Sequence, residues 1–462
     1  MPALINRIYF SFPIQLAIMH VKKNHLMMVL WIMLIGFVTQ NISKRFGIPY
    51  LFLDPEYLGD VNILSFFITG ICCGMFIMAF NISSYILNSF RFPFLASLSK
   101  PFQKYTINNF VFPFLFLIIY AFEVFKFQYN QQLAETGEIF FEILALLAGV
   151  ILVIQLVLKY FLITNKDIYK LFGVRHSDHE HLDELYESAL NIESTPGRIR
   201  MSEASEKHWK VLTYLASPFK TRLVRDTSHY KIYMLHSVFR QNHMNAAFLE
   251  LLTIGLFILL GLFRDYETFQ IPAAASLLML FAMVMMISGV IRFWMKAWAT
   301  TAVVAAFLVV NFLSGLDIFN PESRIYGLDY NGPRKSYSID QMQEYTNDSI
   351  VDSDISNTIQ ILDNWKLNQK AKGIDKPKLA IISVSGGGLR SSLFTFLSLQ
   401  AADSITNGMM FDQTRLITGS SGGMIAACYY RSLKLDSSTI ELPKHADNIS
   451  KDILNATTFS MI

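Results

Sequence analysis

Apolar residues crowd the first two thirds of the chain in blocks longer than a soluble core uses. A membrane-spanning helix needs about 20 mostly apolar residues, within a range of about 17–25. Seven stretches reach or approach that length: residues 25–41, 62–88, 110–127, 139–163, 246–263, 272–292 and 297–316. The last two are divided by Arg292-Phe293-Trp294-Met295-Lys296, a basic and aromatic sequence that predicts a tight hairpin at the membrane surface. A shorter apolar run, Ile8 to His20, follows Arg7, is interrupted by Pro13 and Gln15, and leads into Lys22-Lys23. It lacks a small-x-small cleavage site, so it predicts an interfacial or re-entrant helix rather than a signal peptide.

Two polar regions break this pattern. Within 164–245, Asp183 to Ile192 predicts a charged helix ended by Thr195-Pro196-Gly197, and Ser202 to Leu215 a second helix. Residues 217–243 interleave Lys220, Arg222, Arg225, Lys231 and Arg240 with Phe219, Tyr230, Tyr233 and Phe239. That mixture predicts either a helix lying on an anionic membrane surface or a solvated helical linker. Residues 317–372 carry Asn320-Pro321, Asn331-Gly332-Pro333 and the acids Asp340, Glu344, Asp348, Asp352 and Asp354, as an exposed acidic linker does. A helix is expected from Ser356 to Lys370, with Gly373 just past its end as a C-cap. The expected organisation is a polytopic region at 1–316, the linker at 317–372, and a third region at 373–462.

Composition sharpens this division. The chain of 462 residues is 52% hydrophobic and 16% charged, against about 25% charged residues in soluble domains. The net charge of +3 is too small to argue for a nucleic-acid partner. Position matters more than the sum. Arg7, Lys22, Lys23, Arg91, Lys100, Lys104, Lys166, Lys170, Arg175, Arg292 and Lys296 fall in alternate loops, whereas 128–138 holds no Lys or Arg and 264–271 only Arg264. Lys44 and Arg45 are the exception. The bias predicts a cytoplasmic N-terminus for a multi-pass membrane protein, and seven crossings place the C-terminal region on the opposite face. Cys72, Cys73 and Cys428 form no disulfide or metal pattern and read as buried, inert thiols. His176, His179 and His181, with Asp178 and Glu180, read as a solvated turn, because their spacing does not bring all three histidines to one helix face. No metal and no cofactor is expected.

The C-terminal region carries the chemistry. Lys378 to Ser385 is short, apolar and β-branched, as a buried parallel strand is. Gly386-Gly387-Gly388-Leu389-Arg390 follows, and a helix is expected from about Leu389 to Asp403. Glycines let backbone N–H groups converge, and the helix start adds partial positive charge, so the pair suits a phosphate or a developing oxyanion. Thr414 to Thr418 reads as the next strand, Gly419-Ser420-Ser421-Gly422-Gly423 as the turn, and Met424 to Tyr430 as the start of a helix. In a G-x-S-x-G elbow the central serine is held exposed on a strained strand-to-helix turn, which makes Ser421 the candidate nucleophile and Gly419 and Gly423 the residues that permit the bend. A dinucleotide fingerprint is one glycine short at Ser391, and a P-loop lacks its Gly-Lys-Ser/Thr. The expected fold class is an α-helical transmembrane bundle followed by an incomplete α/β domain with a parallel sheet.

Residues 377–434 resemble the start of a patatin-like phospholipase domain, which pairs a G-G-G-x-R loop after its first strand with a G-x-S-x-G elbow after a later one. The resemblance implies that the backbone N–H groups of Gly386, Gly387 and Gly388 hold the oxyanion, with Arg390 in the same loop. It implies that Ser421 attacks the ester carbonyl of a lipid, and that membrane lipids are both substrate and anchor. The family uses a Ser-Asp dyad whose aspartate lies in an Asp-Gly-Gly/Ala motif. No Asp-Gly dipeptide occurs in this sequence, and Asp436, Asp447 and Asp452 lack that context. The expectation is that the aspartate lies beyond Ile462. The rival reading is a transporter or sensor with a degenerate, inactive hydrolase-like domain, in which Glu123, Glu142 and Glu250 in or beside the spans mark a pathway.

Overall fold

The apolar blocks fold as helices. A computed structural model describes residues 2–164, 209–225, 232–263, 266, 269–295, 298–314, 332, 338–436 and 442–451. In chain order these form α1 (Pro2–Tyr9), α2 (Phe12–Lys23), α3 (His25–Val38), α4 (Ile48–Leu53), β1 (Glu56–Tyr57), β2 (Asp60–Val61), α5 (Ile63–Asn88), α6 (Pro101–Asn108), α7 (Val111–Phe127), α8 (Thr136–Thr164), β3 (Thr213–Ser217), β4 (Lys220–Leu223), α9 (Ile232–Leu262), α10 (Ala273–Met295) and α11 (Ala299–Ser314). There follow α12 (Ile339–Tyr345), α13 (Asp348–Ala371), β5 (Ala380–Val384), α14 (Gly388–Ile405), α15 (Met409–Gln413), β6 (Thr414–Gly419), α16 (Ser421–Leu435) and α17 (Leu442–Ile449). The chain divides into two compact units between Leu313 and Ser314.

In the first unit, five helices among the described residues are long and apolar enough to cross a membrane: Ile63–Arg91, Val111–Gln132, Thr136–Thr164, Asn245–Leu262 and Ala273–Arg292. Counting α2 and α3, bent by 99°, as one broken span makes six. Of the seven expected crossings, five or six meet this standard among the described residues. Residues 25–41 yield only the 14 residues of α3, and 297–316 only the 16 of α11; at 1.5 Å per residue these reach about 21 and 24 Å against a hydrocarbon core of about 30 Å. The expected turn at Arg292–Lys296 is also displaced, because α10 stays helical through Met295.

α5 and α8 cross closely at glycines. Gly70 of α5 and Gly149 of α8 lie against each other's helix backbones, and Gly74, four residues on, lies against Val150 and Val153; a Cβ on Gly70 would collide with the carbonyl oxygen of Leu146, and one on Gly149 with that of Phe67. Small residues spaced this way let backbones approach where lipid offers no hydrophobic drive for association.

A polar network sits at the bend between α2 and α3. The Asn24 amide donates to His20 Nδ1 at 2.8 Å, which leaves the proton on Nε2 to be donated to Asn109 Oδ1 at 2.7 Å. Asn109 Nδ2 then donates to Asn81 Oδ1 and Ser84 Oγ, each at 3.1 Å. Buried polar groups are costly unless they are paired in this way.

The helices expected at 202–215 and 217–243 are overturned at 213–223 and present from Ile232 onward. Thr213 to Leu223 is an antiparallel hairpin pairing Tyr214 with Arg222 and Leu215 with Thr221, and Ile232 stands in the helix α9. The stretches 183–192 and 202–208 and the histidine cluster at 176–181 lie outside the described residues. The acidic linker likewise contains α12 and α13, with Ser338 and Asn347 as N-caps. The helix expected from Ser356 begins at Asp348 and ends at Ala371, and Gly373 follows at φ +83°.

In the second unit β5 and β6 pair in parallel, from Ala380↔Thr414 to Val384↔Gly419. Ile382, Val384 and Ile417 pack under α14 and α16 against Phe396, Leu399, Ala426, Ala427 and Tyr430. The opposite face, with Ile381 and Leu416, is exposed. α14 and α16 are also joined by charge: Asp403 accepts a hydrogen bond from Tyr430 at 2.8 Å and pairs with Lys434. Cys72 and Cys73 are buried as expected, but Cys428 is exposed, because it lies on α16 away from the sheet core.

Candidate active site

The pairing of Val384 with Gly419 ends both strands at one sheet edge, so the glycine loop and the elbow start side by side. Ligands of open α/β sheets bind at this carboxyl edge. Both following helices begin there, α14 at Gly388 and α16 at Ser421. No side chain caps either start, so two positive dipole ends face one place.

Ser421 has φ +50°, in the left-handed region that side chains rarely adopt. It occupies the first position of α16, directly after the extended Ser420, and its side chain is exposed. This is the geometry of a strand-to-helix elbow. Gly423 explains how so sharp a turn packs: a Cβ there would collide with the Ser385 carbonyl oxygen. Gly419 is similarly pressed against Val384.

The structure brings the loop to the elbow. A Cβ on Gly386 would stand 3.0 Å from Ser421 Cβ and 3.2 Å from Ser420 Oγ. Gly387 and Gly388 carry φ of +157° and +63°, and Arg390 is exposed on the first turn of α14. Two serines to which no role was assigned lock the arrangement. Ser392 Oγ donates to the Gly422 carbonyl at 2.9 Å, tying the two helix starts together, and Ser391 Oγ donates to the Ser385 carbonyl. Their places, directly after the G-G-G-L-R run, were the one available signal for them.

No base stands at the serine: Ser421 Oγ has no hydrogen-bond partner among the described residues. Asp436 caps the far end of α16, roughly 22 Å along the helix. His445 is held by Tyr429 at 2.8 Å, two turns from Ser421, and Asp447 follows it on α17. Asp403 is engaged by Tyr430 and Lys434. Asp452 lies outside the described residues. A cleft of about 270 Å³ between β6 and α16 is lined by residues including Phe411, Arg415, Ile417, Met424, Cys428 and Arg431, and by none of the elbow residues 419–423. Among the described residues no three His, Cys, Asp or Glu side chains are placed to hold a metal ion.

No family model matches the chain, and neither the curated proteins nor the solved structures contain a match to it.

Proposed function

We propose that this chain is a multi-pass membrane protein whose C-terminal unit is a patatin-like serine hydrolase acting on fatty-acyl esters of phospholipids or related lipids. The observation that carries the reading is Ser421, exposed at φ +50° on a strand-to-helix turn with Gly386 packed beside it. In this reading a base removes the hydroxyl proton, Ser421 Oγ bonds to the ester carbonyl carbon, and the carbonyl oxygen takes negative charge. The N–H groups of Gly386, Gly387 and Gly388, with the two helix starts, stabilise that oxyanion. Collapse expels the alcohol, and water then releases the fatty acid from the acyl-serine. The base is a family expectation, an aspartate, and no side chain described at the serine fills that role.

The second reading, a transporter or sensor with an inactive hydrolase-like domain, draws on two observations. Ser421 Oγ is unpartnered among the described residues, and Glu250 is buried in the bundle with Ser83 Oγ 3.5 Å from its Oε1. Glu123 leaves this set, since it pairs with Lys126 at 3.7 Å.

Labelling the full-length protein with a fluorophosphonate separates the two. The hydrolase reading expects wild type and Ser420→Ala to label and Ser421→Ala not to, with fatty-acid release from phospholipid vesicles falling by about 10⁴-fold or more. Equal labelling of Ser421→Ala overturns it, and an unlabelled wild type favours the second reading.

A further inference from the structure

The hairpin that replaces the expected helix brings together cations from two separate connections. α6 lies between the spans of α5 and α7, and β3–β4 lies between those of α8 and α9. These connections meet at one end of the bundle. Asn108 of α6 clamps Leu215 from both sides, donating to its carbonyl at 2.9 Å and accepting from its N–H at 2.8 Å. Lys104 donates to the carbonyl of Ala216, and Leu212 N–H donates to that of Phe10 at 2.8 Å. Cross-strand partners share a face. The pairing Tyr214↔Arg222 therefore turns Arg222 toward the side of β3 where Tyr214 packs on Phe94.

Among the described residues no acid faces these cations. The described stretches that meet here, 2–24, 85–111, 152–164, 209–225 and 285–295, contain no Asp or Glu. Lys100, Lys104, Lys220 and Arg222 have no acidic partner among the described residues. The Lys104 ammonium is held below the ordinary lysine value by burial first, then by Arg222 and Lys100, as expected of like charges gathered at one place. At the hairpin tip Phe219 is fully exposed beside Lys220. The opposite end is acidic, with Asp54, Glu56, Asp60, Glu135 and Glu138.

We propose that Lys100, Lys104 and Arg222 bind the phosphate of an anionic phospholipid at the basic end of the bundle, with Phe219 against its acyl chains. Clusters of Lys and Arg beside spanning helices recognise anionic headgroups in this way, and an aromatic at headgroup level anchors the site. The site is independent of Ser421 and lies in the other unit.

The test is native mass spectrometry of the full chain in detergent, titrated with phosphatidylglycerol or phosphatidylcholine. Wild type is expected to retain phosphatidylglycerol in preference to phosphatidylcholine, and excess inorganic phosphate is expected not to displace it. Lys100→Gln/Arg222→Gln, two exposed positions, should weaken retention by roughly 30-fold. Lys44→Gln/Arg45→Gln at the other end should leave it unchanged, and Phe219→Ser should weaken it. Equal retention of both lipids, or no loss in the Lys100/Arg222 variant, overturns the proposal. Full displacement by phosphate makes the ligand a free anion and overturns the lipid assignment. Unchanged retention by Phe219→Ser removes the acyl-chain contact.

Discussion

At Ser421 the backbone works against the residue it carries. A non-glycine residue in the left-handed region costs about 1–2 kcal/mol, and Ser421 stands there at φ +50°. Strain of this kind persists where the surroundings over-determine it and gathers at functional sites. A comparison of Ser421→Ala with Ser421→Gly isolates it, since both remove the hydroxyl and only glycine relaxes the backbone. Ser421→Gly should be about 1 kcal/mol more stable than Ser421→Ala, read as a higher thermal midpoint of the full-length chain in detergent. A lower midpoint for glycine would mean that the turn is not strained. The motif residues were legible in the sequence because the turn needs them locally. Ser392 was not, because its bond to Gly422 joins positions 30 apart that only the parallel pairing brings together.

Elements were legible where their periodicity is local and misread where their partners are distant. β5, α14, β6 and α16 each fall within a few residues of expectation, since an apolar β-branched run bounded by glycines has few other uses. The hairpin at 213–223 was read as helix because its charged and aromatic residues also suit an amphipathic helix. Its strands are held by the Asn108 side chain and the Phe10 carbonyl, more than 100 residues away in sequence. The Gly70-x-x-x-Gly74 pair was in the sequence as a crossing signal, but Gly149 had to be placed before its partner was known. Between α14 and α16 the buried Tyr430–Asp403 pair, with Lys434 at its edge, sets a pH dependence. Burial, and then the Asp403 carboxylate, push the Tyr430 hydroxyl above its ordinary value of 10.0. The folded state therefore holds this proton after the unfolded chain has released it, so stability is complete below about pH 10 and falls above it by about 1.4 kcal/mol per pH unit. Tyr430→Phe should lower the thermal midpoint near neutral pH, since Asp403 loses a donor, and should flatten the alkaline decline. Parallel curves for wild type and Tyr430→Phe above about pH 10 would mean that Tyr430 is not the group that titrates.

For the whole molecule the governing quantity is the parity of the crossings. The N-terminal segment meets the hairpin at the basic end, and six crossings, with α2–α3 counted as one, return the chain to that end after α10. The final parity then depends on α11. At 16 residues it is short, yet it has no polar face to lie along an interface: Val303, Phe307, Leu308, Val310 and Phe312 are all exposed. An interfacial helix needs a polar side, whereas a short apolar helix can cross by thinning the bilayer locally at modest cost. We therefore expect α11 to be a short seventh crossing. The chain carries its own reporter, since Cys428 is exposed while Cys72 and Cys73 are buried. A membrane-impermeant maleimide should label Cys428 in one vesicle orientation, and a Lys220→Cys reporter in a Cys428→Ser background in the other. Labelling of both from the same side would make α11 a helix that enters the bilayer without crossing it.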